Sequence, residues 1–237
     1  MKKIITIFLI VVLLSPVNVI GLSLSCRSCI LMDADSGRIL YQKDKDTPRL
    51  IASITKIMTA ILAIESGRLE EVVTVGEEVL TMYGSNIYIE LGEKMKLIDM
   101  VYGLMLRSGN DAAIVIATFI GGTEEKFVEM MNKKAQELGM TNTIFNNSHG
   151  LDEVTQNKST AYDMALLSSY ASQNETYMKI VGTKKYTVQT DKKSYLWNNR
   201  NKLLNLYEYG FRPSSASLWA RASCFSATSQ ARKKTSS

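Results

Sequence analysis

Ser53 and Lys56 stand three residues apart in "SITKIMTA", residues 53–60. A serine hydroxyl is a weak nucleophile until a neighbouring base takes its proton. Residues three apart on a helix share a face, so this lysine can reach this serine. Ile57, Met58, Ile61, Leu62 and Ile64 follow at helical spacing, which puts the pair at a helix start. Two readings of Ser53 stand side by side. It is a good N-cap, because its oxygen can accept an orphan N–H of the first turn. It is also placed as a nucleophile. Capping accounts for the serine but not for Lys56, which lies at the positive end of the helix dipole, the less favourable end for a cation. That position, with burial and nearby cations, lowers a lysine's proton affinity and makes it a usable base. Ser-x-x-Lys alone is common, and on this stretch alone capping is the simpler account.

A second group lies at Ser108-Gly109-Asn110, within "RSGND". Ser, Gly and Asn are ordinary turn residues, and a helix-linking turn explains them without chemistry. Beside Ser53 and Lys56, however, they add a second hydroxyl and a side-chain amide. His149 is the one histidine of the chain and sits in a polar loop between Ser148 and Gly150. It is either a loop residue or part of a cleft rim. With a single histidine, Cys26-x-x-Cys29 at the head of the mature chain and only Cys224 beyond, no zinc set is present. A local disulfide or two inert thiols accounts for the first two cysteines. No metal or cofactor is expected.

These residues need elements to hold them. Residues 28–33 and 38–42 read as a hairpin around the turn Asp35-Ser36-Gly37. Residue 44 to 48 form a polar loop into the Ser53 helix, which ends at Gly67 as a C-cap. Short strands are expected at 72–75 and 86–90. Helices are expected at 97–106, 112–120 and 124–138, with a polar loop at 142–150. A further helix at 159–172 opens at Ser159 or Thr160. Strands at 185–189 and 194–197 follow. Strands flanking a helical middle predict an α+β fold with helices on a mostly antiparallel sheet.

Composition limits the class. Lys2 and Lys3 precede a run from 4 to 14 that is apolar except for Thr6, followed by Ser15-Pro16 and small residues. This is the pattern of a secretory leader, residues 1–25, with cleavage near 21–25. The run is too short for a comfortable membrane span. The net charge of +5 arises from Arg212, Arg221, Arg232, Lys233 and Lys234 in an acid-free tail, residues 211–237. The body is therefore balanced and offers no basic face for nucleic acid.

Ser-x-x-Lys at a helix start with a downstream Ser-x-Asn turn are two of three elements of the penicillin-binding and serine β-lactamase group. Longer stretches sharpen the likeness: "LMDADSGRILYQKDKD", "ASITKIMTAILAIESG", "MLRSGNDAAIVIA", "MNKKAQELGMTNTIFNNSHGLDE" and "STAYDMALLSSYA". From about Ser28 to about Leu206 the chain resembles the low-molecular-mass D-alanyl-D-alanine carboxypeptidases, the peptidase S11-like serine penicillin-binding proteins. The resemblance implies a β-lactamase/transpeptidase-like fold over residues 26–210. It implies an exported enzyme acting on the peptidoglycan pentapeptide, inhibited covalently by β-lactam antibiotics, with peripheral membrane or wall association. It also implies roles: Ser53 as nucleophile, Lys56 as base, Ser108 as proton relay to the leaving D-alanine, and Asn110 as the group orienting Lys56 or the substrate amide.

The third element, a Lys-Thr-Gly strand, is missing where the family would have it. The family uses its lysine and threonine to bind the substrate's terminal carboxylate. Lys234-Thr235-Ser236 resembles it superficially but lies too late. A truncated or frame-altered chain with an incomplete sheet and impaired turnover is therefore expected. An inactive penicillin- or wall-binding remnant is the alternative. A β-lactamase fits less well, because neither Glu137 nor Glu175 opens a Glu-x-x-Leu-Asn loop.

Overall fold

The computed structural model describes residues 26–202 and 204. The leader at 1–25 and the tail at 211–237, with Cys224 and Lys234-Thr235-Ser236, lie outside the described residues.

One helix organises the rest. α1 (Lys56–Glu65) buries Met58, Thr59, Ala60, Ile61, Leu62, Ala63 and Ile64, and a helix apolar on all sides belongs inside a core. Two apolar clusters meet on it. Ala60, Ile61 and Ile64 join Leu97, Met100 and Leu104 of α2 (Leu97–Arg107) and Ile116 of α3 (Asn110–Gly121). Met58 and Leu62 join Ile30 and Met32 of β1 (Cys29–Met32), Phe127 and Met131 of α4 (Glu124–Glu137), and Leu167 of α5 (Ala161–Ser172). The N-terminus of α1 is thus fixed from both sides. Beyond its end, Gly67 takes φ +72°, the left-handed residue expected past a helix C-terminus. Thr160 caps α5, its side chain accepting from Asp163 N at 3.0 Å.

All strand pairs are antiparallel, in four two-stranded ladders among the described residues. β1 pairs with β2 (Ile39–Lys43). β3 (Arg49–Leu50) pairs with β6 (Lys158–Ser159), and β4 (Val72–Thr74) with β5 (Lys94–Lys96). β7 (Lys185–Gln189) pairs with β8 (Ser194–Asn198). The α+β expectation holds, and among the described residues the strands form separate two-stranded ladders rather than one main sheet. The hairpin, the helices and the last two strands stand within a residue or two of their expected bounds. β3, β5, β6 and α6 (Glu175–Gly182) were not anticipated.

Two expectations are corrected. Ser53 does not cap α1. It lies inside a one-turn 3₁₀ helix, Ala52–Thr55, and the residue before α1 is Thr55, whose side chain makes no capping bond. The serine hydroxyl is therefore not engaged with the helix backbone. The second concerns residues 86–90, which alternate apolar and polar but form no strand. The N–H groups of Ile87, Tyr88 and Ile89 all go to the Asp111 carboxylate. In a strand successive amides point in opposite directions, so convergence on one side chain excludes a ladder.

Candidate active site

Ser53 is exposed and Lys56 is buried beneath it, with 2% of its surface accessible. The Lys56 Nζ donates to Ser53 Oγ at 3.2 Å, to Asn110 Oδ1 at 2.7 Å and to the His149 carbonyl at 2.6 Å. All three acceptors are neutral oxygens, so no carboxylate touches the amine. Burial is the largest influence on it and disfavours the charged form. Arg200 adds repulsion, Asp111 opposes both, and the ammonium falls from 10.5 to about 7. A lysine with that affinity is partly neutral at physiological pH and can accept a serine proton.

Three segments deliver these groups. The 3₁₀ turn displays Ser53, preceded by Ala52 at φ +44°, a strained position for a residue with a Cβ. The α2–α3 junction supplies Asn110, whose Nδ2 donates to Tyr83 O at 2.6 Å and so leaves Oδ1 facing Lys56. Ser108 is the left-handed residue between the helices, at φ +63°. The 146–150 loop supplies the His149 carbonyl. A buried amide pair holds that loop. Asn157 Oδ1 accepts from Asn146 N and Asn147 N, and its Nδ2 donates to Thr55 Oγ1 at 2.9 Å. Asn147 Oδ1 accepts from Gly150 N at 2.6 Å. Thr59 Oγ1 donates to Ser148 O at 2.6 Å.

The structure thus brings Ser53, Lys56 and Asn110 into one hydrogen-bonded group. It does not hydrogen-bond the Ser108 hydroxyl to either Ser53 or Lys56, although its neighbour Asn110 is in the group. The His149 imidazole points elsewhere: Nδ1 accepts from Leu151 N at 3.0 Å, and Nε2 lies 3.7 Å from Glu124 Oε1. Its role toward Lys56 is through the backbone, which no residue-type signal in a sequence can show. Asp111 and Arg200 also act on Lys56, and their residue types and spacing do not mark them for that place. The one signal is that Asp111 adjoins the Ser-x-Asn turn.

Gly150 is required sterically. It takes φ +84°, and a Cβ there would sit 1.9 Å from Ala52 O and 2.9 Å from Ser53 N. Gly150→Ala should therefore lower stability by at least about 2 kcal/mol and displace the Ser53 turn. Urea denaturation checks this, and an unchanged midpoint would show that the loop can move away cheaply.

This helical core with its antiparallel ladders, carrying an exposed serine over a buried, weakly basic lysine, has a transpeptidase-like fold. A family model for D-alanyl-D-alanine carboxypeptidase, peptidase S11, matches residues 16–212, and the chain belongs to that family. It is 40% identical over 188 residues to the D-alanyl-D-alanine carboxypeptidase DacF of Bacillus subtilis, covering 76% of this chain and 48% of DacF. It is 38% identical over 156 residues to DacC of Escherichia coli, covering 61% and 39%. The chain thus spans half or less of the length of these curated relatives. Among solved structures, a single-residue variant of the Streptomyces K15 DD-transpeptidase superposes with a TM-score of 0.76 at 31% identity, covering 81% of this chain and 80% of that one. A D-alanyl-D-alanine carboxypeptidase from Mycobacterium tuberculosis gives 0.73 at 28% identity, covering 77% and 69%.

Proposed function

We propose that the chain is a serine-type D-Ala-D-Ala carboxypeptidase working through an acyl-enzyme on Ser53. The observation that carries this is the buried Lys56 amine, 3.2 Å from the exposed Ser53 hydroxyl. In the proposed reaction Ser53 Oγ adds to the carbonyl carbon of the penultimate D-alanine while its proton passes to Lys56 Nζ. The peptide C–N bond then breaks, and the terminal D-alanine leaves as an amine after gaining a proton, relayed by Ser108. Water hydrolyses the ester and regenerates Ser53. Asn110 holds the lysine in reach throughout. A β-lactam would follow the first half of this path and remain attached. The substrate is the peptidoglycan pentapeptide, and the apolar leader, residues 1–25, directs the protein out of the cytoplasm, where cell-wall peptide lies.

The Ser108 hydroxyl, the proposed relay, makes no hydrogen bond to Ser53 or Lys56 among the described residues, where the lysine donates to Ser53, Asn110 and the His149 carbonyl. That observation favours a second reading, a penicillin-binding chain without turnover. Reaction with a labelled penicillin followed by a D-alanine release assay separates the two. Labelling with release supports the carboxypeptidase, labelling without release supports the second reading, and no labelling contradicts both.

A further inference from the structure

Asp111 lies one residue beyond Asn110 and is 1% exposed. Its Oδ1 accepts from Ile87 N at 3.0 Å and Ala112 N at 2.9 Å, and its Oδ2 from Tyr88 N at 2.7 Å and Ile89 N at 3.2 Å. Three consecutive amides converge on it only because Tyr88 adopts φ +63°. That is an outlying conformation for a bulky residue, of the kind that concentrates at functional sites. The same segment is tied to the Ser108–Asn110 turn by Asn110 N donating to Ser85 O at 2.7 Å and by the Asn110–Tyr83 bond. Ile87 also packs against Gly109, where a Cβ would come within 3.1 Å of its methyl group. From the far side, Lys193 Nζ donates to Tyr88 O at 2.7 Å.

We propose that Asp111 is the positioning residue of this site: it holds residues 83–90 as a wall against the Ser108–Asn110 turn and sets a fixed negative charge near Lys56. The proposal rests on the reading of Lys56 as the base. Burial raises the proton affinity of the Asp111 carboxyl above the ordinary carboxylate value, and its four backbone donors, which favour the ionised form, limit that rise. The charged groups acting on Lys56 are then Asp111 from α3 and Arg200 after β8. The His149 imidazole turns toward Glu124 of α4, with Nε2 3.7 Å from Oε1; burial makes it harder to protonate, Glu124 opposes this and Lys56 adds to it. Removing the Asp111 charge leaves the ammonium less stabilised, so Lys56 gives up its proton at lower pH.

Asp111→Asn is nearly isosteric but turns an NH₂ group toward two of the four donors. The test follows the Lys56 Nζ by ¹⁵N NMR titration, the signal assigned by its loss in Lys56→Met. The substitution should move the Lys56 midpoint down by about one unit and lower Ser53 acylation at its high-pH plateau about tenfold. A residue that merely stabilised the fold would lower the plateau or the melting point without moving the midpoint. An unmoved midpoint in a folded variant overturns the proposal. If Asp111→Asn does not fold, the wild-type chain decides. The amides of Ile87, Tyr88 and Ile89 should resist hydrogen exchange although they lie in no strand, and exchange as fast as an open loop overturns the proposal. If Lys56 responds as expected but the wild-type chain takes up no penicillin, the acyl-enzyme reading fails while the place of Asp111 stands.

Discussion

Ser53→Ala should leave a folded chain that forms no covalent penicillin adduct. The hydroxyl is exposed and bonds to nothing but the Lys56 amine among the described residues. It caps no helix, so its loss removes little stability, about 0.5 kcal/mol or less, as for other exposed sites. The expected chemical effect is total, because Ser53 carries the one hydroxyl hydrogen-bonded to the Lys56 amine among the described residues. Mass spectrometry of intact protein after penicillin treatment checks this. An adduct that persists in the variant, mapped to another residue, would remove Ser53 from the role.

Lys56→Met carries the second large effect, and it has two parts. Acylation should fall by a factor of 10³ or more, the scale on which removal of a catalytic base acts. Lys56→Arg should not restore it, since a guanidinium stays protonated and cannot take the serine proton. An active arginine variant would mean that only a fixed positive charge is needed. The other part is stability. The folded chain holds the lysine proton less tightly than the unfolded chain, about 7 against 10.5. Between those values the unfolded state binds more protons, so wild-type stability rises with pH across that window. The burden is absent above about 10.5, grows as pH falls, and is constant below about 7. Its ceiling is on the order of 5 kcal/mol. Methionine removes it but leaves Asn110 Oδ1 and the His149 carbonyl without their donor, a pH-independent loss of about 1–3 kcal/mol each. The stability difference between Lys56→Met and wild type should therefore shift in favour of the variant from pH 10 to pH 7. A difference that does not vary with pH would show that Lys56 is not depressed.

How much of this was legible in the sequence depends on what kind of signal each feature leaves. The helices were visible because α1, α2 and α3 carry long apolar patterns ended by Gly67, Ser108-Gly109 and Gly121-Gly122. The hairpin was visible through alternation and its Asp-Ser-Gly turn. Ser53, Lys56 and Asn110 were found by residue type and spacing, and the structure joins them by hydrogen bonds. Residues 86–90 misled because alternation reports which side chains are buried, not where the amides go, and Asp111 takes them. Ser53 misled because a helix-start serine usually caps, whereas here a 3₁₀ turn precedes the helix. β3 and β6 pair over two residues each, too short to leave a pattern. The His149 carbonyl and the Asn147–Asn157 hold on its loop depend on contacts between residues 55, 147 and 157, distant in sequence, and backbone acceptors carry no residue code.

The most direct test of the account is the rate of Ser53 acylation by a labelled penicillin in the wild-type chain, measured from pH 5 to pH 9. With Lys56 as the base and its proton lost at about 7, the rate should be low at pH 5, rise through a midpoint near 7 and level off above it, with one penicillin on Ser53. A rate that is flat across this range, or an adduct on any residue other than Ser53, would contradict the account.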